Sequence, residues 1–276
     1  MLKKLIKHEW QDTWMVGTIC SIVIVVLTII GMILLSSDIW QRSASRGGSA
    51  EAYTMLLYIT YFMMLFFGAL GFVLVIKYFF FYRYYKNLFT DHGYLMNTLP
   101  VKSTDLINAK LIVAVIWQLI SYLLIVVAAF GLFFAAVDGF ESFSAAYRAL
   151  LDDADVWGEL AKMLPGIIAG IIICILTPFC TTLIMYAAVG VGQLSKKHKF
   201  LVAVLLLLGF NIAMQFASQM LTLPFNLMIS DLPMSEDRAS AATNIFSVVW
   251  LIIVAAATVG LYFANKYFLE KRLNLE

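Results

Sequence analysis

The side chains best suited to metal binding or nucleophilic attack in this sequence are three histidines, His8, His92 and His198, and three cysteines, Cys20, Cys174 and Cys180. The histidines stand alone, without metal-ligand spacing. The cysteines are odd in number, lack C-x-x-C spacing and lie inside apolar runs, which argues against disulfides and against a metal site. A phosphate-cradling loop needs G-x-x-x-x-G-K-[ST] between a strand and a helix. The nearest stretch, "GVGQLSKK" at 190–197, has the wrong spacing and closes a helical run. Neither H-E-x-x-H nor G-x-S-x-G occurs. The chain is therefore expected to carry no catalytic residue, no metal and no nucleotide site of its own. No Asp or Glu lies well inside an apolar run, which counts against an ion-coupled carrier, since proton and sodium relays need intramembrane carboxylates. Any driving energy must then come from a partner.

The elements that would position a site are set by hydropathy. Of the 276 residues 62% are hydrophobic and 13% charged, far above the roughly 45–50% apolar content of a soluble domain. A bilayer core takes about 20 apolar residues in a helix, because each backbone amide must be satisfied within its own segment. Six runs qualify, at 14–35, 53–81, 111–136, 166–193, 200–223 and 245–267. The fold expected is an all-α membrane protein with six transmembrane helices, a single domain over 1–276. The first run is too long for a signal-peptide core and is read as a retained span.

An even number of crossings puts both termini on one side. With cytoplasmic termini, 14 of the 19 Lys and Arg fall inside, and only Arg42, Arg46, Arg148, Lys162 and Arg238 fall outside. That bias fixes the expected orientation. A net charge of +2, with no basic stripe, gives no case for nucleic acid.

Residues 1–13 place Leu2, Leu5, Ile6 and Trp10 at helical spacing, with Lys3, Lys4 and Lys7 off that face. The pattern predicts an amphipathic elbow helix lying in the interface; the alternative is a continuation of the first span into water. Acidic residues, Asp138, Glu141, Asp152, Asp153, Asp155 and Glu159, crowd an external lobe at 137–163. Pro224 is expected to end the fifth span, leaving 224–244 as a re-entrant dip or a surface loop. Pro178 should bend the fourth span, with Thr181 and Thr182 able to satisfy freed carbonyls. Gly166 and Gly170, and Ala256, Gly260 and Ala264, have the spacing of close helix packing, within the chain in preference to across a dimer. Asn211, Gln215, Ser218 and Thr222 share one face of the fifth span, as interhelical glue or as the wall of a cavity.

The connection at 84–110 is neither greasy enough to span nor polar enough to be slack. The second span is expected to run on as a helical stalk through "KYFFFYRYYKN", since no Gly or Pro interrupts it before Gly93. Leu88, Phe89, Tyr94, Leu95, Met96 and Leu99 then follow in a polar setting. Pro100 disfavours helix before it, and Ser103 or Thr104 with Asp105 reads as the cap and acidic first turn of the next helix. An apolar cluster on a rigid support has the form of a docking surface; the alternative is that it packs beneath the chain's own helix ends.

Residues 87–117, "NLFTDHGYLMNTLPVKSTDLINAKLIVAVIW", resemble the stretch between the second and third helices of bacterial ABC-2 type permeases. The resemblance rests on Tyr94, Leu95, Thr98, Leu99, Pro100, Val101, Ser103 and Lys110. It implies that 84–110 is a coupling connection docking a cytosolic ABC ATPase subunit through Leu88, Phe89, Tyr94, Leu95, Met96, Leu99 and Pro100, with 1–13 as the elbow beside it. It implies a second permease subunit, identical or not, a bacterial plasma-membrane setting in contact with lipid, and ATP and Mg bound by the partner ATPase. In that family the second and fifth helices line the path, which makes Phe62, Phe66, Asn211, Gln215 and Ser218 the candidates for substrate contact. The function so implied is the membrane-spanning subunit of an ATP-driven exporter. The alternatives are a membrane scaffold or sensor docking a cytosolic regulator and, third, a secondary carrier.

Overall fold

The computed structural model describes residues 2–35, 49–89, 103–136, 148, 154–195, 197–231 and 236–271. The described segments are helices and one turn. The helices are α1 (Leu2–Leu35), α2 (Ser49–Phe89), α3 (Ser103–Ala136), α4 (Ala154–Gly192), α5 (Lys199–Asp231) and α6 (Glu236–Lys271). All six are long and apolar enough to cross a membrane, so the chain is an all-α, six-span membrane protein.

Several ends differ from the hydropathy boundaries. Residues 2–13 are helical but run into the first span without a break, because neither Gly nor Pro interrupts the chain before Gly17. Lys3, Lys4 and Lys7 are exposed as expected. α2 continues to Phe89, well past the apolar run. α3 opens at Ser103 with Asp105 in its first turn, where a carboxylate meets the positive end of the helix dipole. The part of the expected external lobe from Ala154 onward is the first turns of α4; of 137–153, only Arg148 is described. Pro224 does not end the helix, since α5 passes through it to Asp231, but the segment long and apolar enough to span closes beside it at Phe225. A membrane helix tolerates the lost amide where other groups re-satisfy the backbone; the nearby Thr222 hydroxyl donates to the Ser218 carbonyl at 2.9 Å, not to the Met220 carbonyl that the proline deprives of a donor.

Pro178 likewise sits inside α4. The hydroxyls of Thr181 and Thr182 both donate to the carbonyl of Pro178 itself, at 3.2 and 2.7 Å, rather than to the Cys174 carbonyl that the proline deprives of a donor. It is the Thr177 hydroxyl that back-bonds nearby, to Ile173 at 2.7 Å.

The chain divides into two compact units. The smaller comprises 8–78 and 116–154, hence most of α1 and α2 and the second half of α3. Trp10 of α1 stacks on Trp117 of α3, with centroids 5.1 Å apart and planes at 14°. The Trp117 indole N–H donates to the Thr13 hydroxyl at 3.3 Å, and that hydroxyl donates to the Glu9 carbonyl at 2.9 Å. Gly17 completes the seat, since a Cβ there would run into the Trp117 ring. The apolar side of the expected elbow, at Trp10, thus packs on protein.

The larger unit comprises 1–7, 79–115 and 155–276. Its core lies where the end of α2, the start of α3, α4 and α6 meet. Tyr84 stacks face to face on Tyr186 at 3.6 Å and 7°, with Phe81, Leu88, Ile107 and Leu183 buried with them. Lipid is as apolar as these side chains, so tight packing and hydrogen bonds must hold the helices together. Asn265 of α6 donates to the Leu183 carbonyl of α4 at 2.9 Å, and the Tyr262 hydroxyl reaches Asn108 of α3 at 3.1 Å. A tight turn joins α4 to α5: His198 takes a positive φ of 54°, and a Cβ on Gly192 would come within 2.7 Å of the Ala203 Cβ. The small-residue spacings are used unevenly. Gly166 lies against Asn244, whereas among the described residues a Cβ at Gly170 or Gly260 would meet nothing within 4 Å.

Candidate functional site

Of the residues expected to dock a partner, two lie in described structure. Leu88 is 0% exposed, which leaves no side-chain surface for another protein; it belongs to this chain's own core, because the helical period puts it one turn beyond Tyr84 on the buried face. Phe89 is half-buried, its ring 6.0 Å from that of Tyr84. Tyr94, Leu95, Met96, Leu99 and Pro100 fall outside the described residues, as does His92.

What the structure does describe is the two ends of that connection. α2 arrives with Phe80, Phe81, Tyr84 and Leu88 buried, and α3 leaves with Leu106, Ile107 and Ala109 buried. The aromatic face of α2 is clamped further by Phe200 at the start of α5, whose ring lies 5.0 Å from Tyr85 and 6.2 Å from both Phe81 and Tyr82. The expected stalk is therefore a packed element of the larger unit. Lys110, one of the residues carrying the resemblance, is buried at 5% exposure and partnered. The helix ends on either side of 90–102 are thus packed in the same core.

The path candidates fall in both units. Phe62 and Phe66 line one cavity of the smaller unit, of about 630 Å³, between α1, α2 and α3. Asn211, Gln215 and Ser218 belong to the larger unit, on α5, where Asn211 and Gln215 are exposed and Ser218 is half-buried. There Gln215 shares a groove of about 360 Å³ with Ile212, Phe216 and Gln219. The other two are tied to their own helix: the Asn211 amide donates to the Leu207 carbonyl at 2.7 Å and the Ser218 hydroxyl to the Gln215 carbonyl at 2.8 Å. Such back-bonding satisfies a polar group that faces away from protein.

Among the described residues no group of three His, Cys, Asp or Glu side chains is arranged to hold a metal ion. His8 is exposed, its Nδ1 3.4 Å from the Asp12 carboxylate, and His198 is exposed at the α4–α5 turn. The cysteines are free thiols.

Sequence reasoning missed polar contacts that tie helices together, among them Tyr61 to Leu27, Asn108 to Tyr262 and Asn265 to Leu183. A lone Asn within an apolar run was the available signal for Asn265, since an amide at that depth must find a partner. No known protein family, curated protein or solved structure matches the chain.

Proposed function

We propose that this chain is the membrane-spanning subunit of an ATP-driven exporter of ABC-2 type. The observation that carries the reading is that the two helix ends flanking 90–102 are both seated in one packed core with α4, α5 and α6. A segment held that way passes a push from a cytosolic protein into several spans at once, which a slack loop would not do. The sequence of the segment, with Tyr94, Leu95 and the "TLPV" run, supplies the apolar plug such a contact needs.

On this reading the plug is Phe89, Tyr94, Leu95, Met96, Leu99 and Pro100, with Leu88 as its root inside the core. Cytoplasmic termini put the plug in the cytosol, where an ATPase subunit binds ATP and Mg. Closure of a pair of such ATPases moves the plug, and the spans rearrange to release cargo outward. A second permease subunit completes the path. The polar side of α5 suits that path, since Gln215 and Gln219 are amides well inside the Lys199–Phe225 span and exposed in the single chain. In a cell membrane, amides so placed face a water-filled route or another subunit in preference to lipid.

The test is co-purification from bacterial membranes. Replacing Tyr94 and Leu95 with Asp is expected to abolish recovery of an ATPase subunit while membrane insertion and α-helical content stay unchanged. Undiminished recovery would sink the assignment.

A further inference from the structure

The cavity of the smaller unit has a chemistry of its own. Ile24 and Leu27 of α1, Phe62, Leu65 and Phe66 of α2 and Ile125 of α3 are among the side chains of its wall, around about 630 Å³. Its polar side chains are already committed. The Tyr61 hydroxyl donates to the Leu27 carbonyl at 3.0 Å, and the Thr28 hydroxyl donates to the Ile24 carbonyl at 2.8 Å. Water needs two to four polar partners to settle in a cavity, and this wall does not offer them. Left empty, the wall would forfeit its dispersion contacts. A polar cargo would lose its own hydrogen bonds there without replacement.

Size and access narrow the occupant. Ile59 to Ala69, which bound the cavity along α2, cover roughly 15 Å at about 1.5 Å per residue. An extended alkyl chain matches that length and needs no hydrogen-bond partner from a wall that offers none. The mouth is lateral: Phe62 is 68% exposed, and Met63 and Phe66 about half exposed, at a depth where the surroundings are hydrocarbon. We propose that this cavity is a seat for one acyl chain of a bilayer lipid, held between α1, α2 and α3. The seat is independent of whether the chain transports anything.

The test uses the full chain in vesicles of phosphatidylethanolamine and phosphatidylglycerol doped with a phospholipid bearing a diazirine on one acyl chain. After photolysis, peptide mass spectrometry is expected to find label concentrated at Leu65, Phe66 and Ile125. It should clearly exceed label at Ile22 and Val23, which are exposed on α1 and outside the cavity wall. Filling the space with Ala69→Phe and Ala128→Phe should remove that excess while leaving Ile22 and Val23 labelled as before, so that loss of the site is separable from loss of the fold. Equal labelling inside and outside the cavity overturns the proposal for the unaltered chain, whether or not the variant folds. So does excess labelling that survives the double substitution. Native mass spectrometry of the purified chain should show a retained phospholipid; a retained adduct of non-lipid mass would assign the seat to a cargo and overturn the lipid reading.

Discussion

The side-chain amide of Asn244 grips the backbone of α4 at Gly166: the Gly166 N–H donates to Oδ1 at 3.0 Å, and Nδ2 donates to the Lys162 carbonyl at 2.6 Å. Lys162 and Gly166 are the acceptor and donor positions of one helical turn, so one amide from α6 serves both ends of that turn. Pro165 sits between them and supplies no N–H. Hydrogen bonds between membrane helices are worth about 0.6–1.7 kcal/mol each. Asn244→Leu removes both and is expected to lower the stability of the chain in detergent by roughly twice that amount. Asn244→Asp keeps the acceptor and loses the donor, and should fall between. Gly166→Ala would place a Cβ 2.5 Å from Oδ1 and should resemble Asn244→Leu. Thermal unfolding followed by size-exclusion recovery measures all three; a midpoint unmoved by both Asn244→Leu and Gly166→Ala would show that this grip is not structural.

Tyr84 and Tyr186 lie 3.6 Å apart and nearly parallel. Face-to-face rings gain little from their quadrupoles, so the pair contributes through dispersion and filled volume. Tyr84→Phe keeps the ring and should change stability by less than about 1 kcal/mol, in line with volume-conserving exchanges. Tyr84→Ala opens a cavity beside Leu88 and should cost about 3–5 kcal/mol, as for other buried aromatics. Because Tyr84 stands two turns before residue 90, the loss should also uncouple the 90–102 connection. Limited proteolysis near Phe89, faster in the Ala variant and unchanged in the Phe variant, checks that point.

The six spans were legible because hydropathy reports how each segment partitions between water and hydrocarbon. The extension of α2 was legible for a related reason, the lack of any Gly or Pro before Gly93. What a segment does once it leaves hydrocarbon was harder to read. The same pattern that suits an interfacial elbow at 1–13 also suits a helix whose Trp10 meets Trp117, and a period cannot name the neighbour. Leu88 shows the same limit: an apolar residue in a polar stretch reads as an exposed plug, yet the period from Phe81 and Tyr84 places it in the core. Asn244 and Gly166 lie 78 residues apart, and nothing local pairs them. The Gly166 and Gly170 spacing drew attention to the right glycine for a different contact.

On α5, Gln215 and Ala213 are both exposed, yet two residues apart means about 200° apart around a helix. If the Gln215 side faces a water-filled path, a thiol placed there ionises and reacts, while one opposite sits in lipid. In a background with Cys20, Cys174 and Cys180 replaced by Ala, Gln215→Cys should react with a small water-soluble maleimide and Ala213→Cys should not. Equal reactivity would remove the α5 face from the path, leaving it as a surface for helix packing.

Lys197 and Arg148 flank α4, one at its closing turn and the other before its start, and both are exposed. A single membrane crossing separates them, so they must lie on opposite sides. Positive charge retained on the cytoplasmic face assigns Lys197, beside Lys196 and Lys199, to the inside, together with both termini and the connection at 90–102. In the same cysteine-free background, a membrane-impermeant maleimide applied to intact cells should label Arg148→Cys and spare Lys197→Cys, with Lys197→Cys labelled once the membrane is opened. The reverse pattern would place Tyr94 outside the cell, where no ATP-driven partner could reach it, and the exporter reading would fail even with all six spans intact.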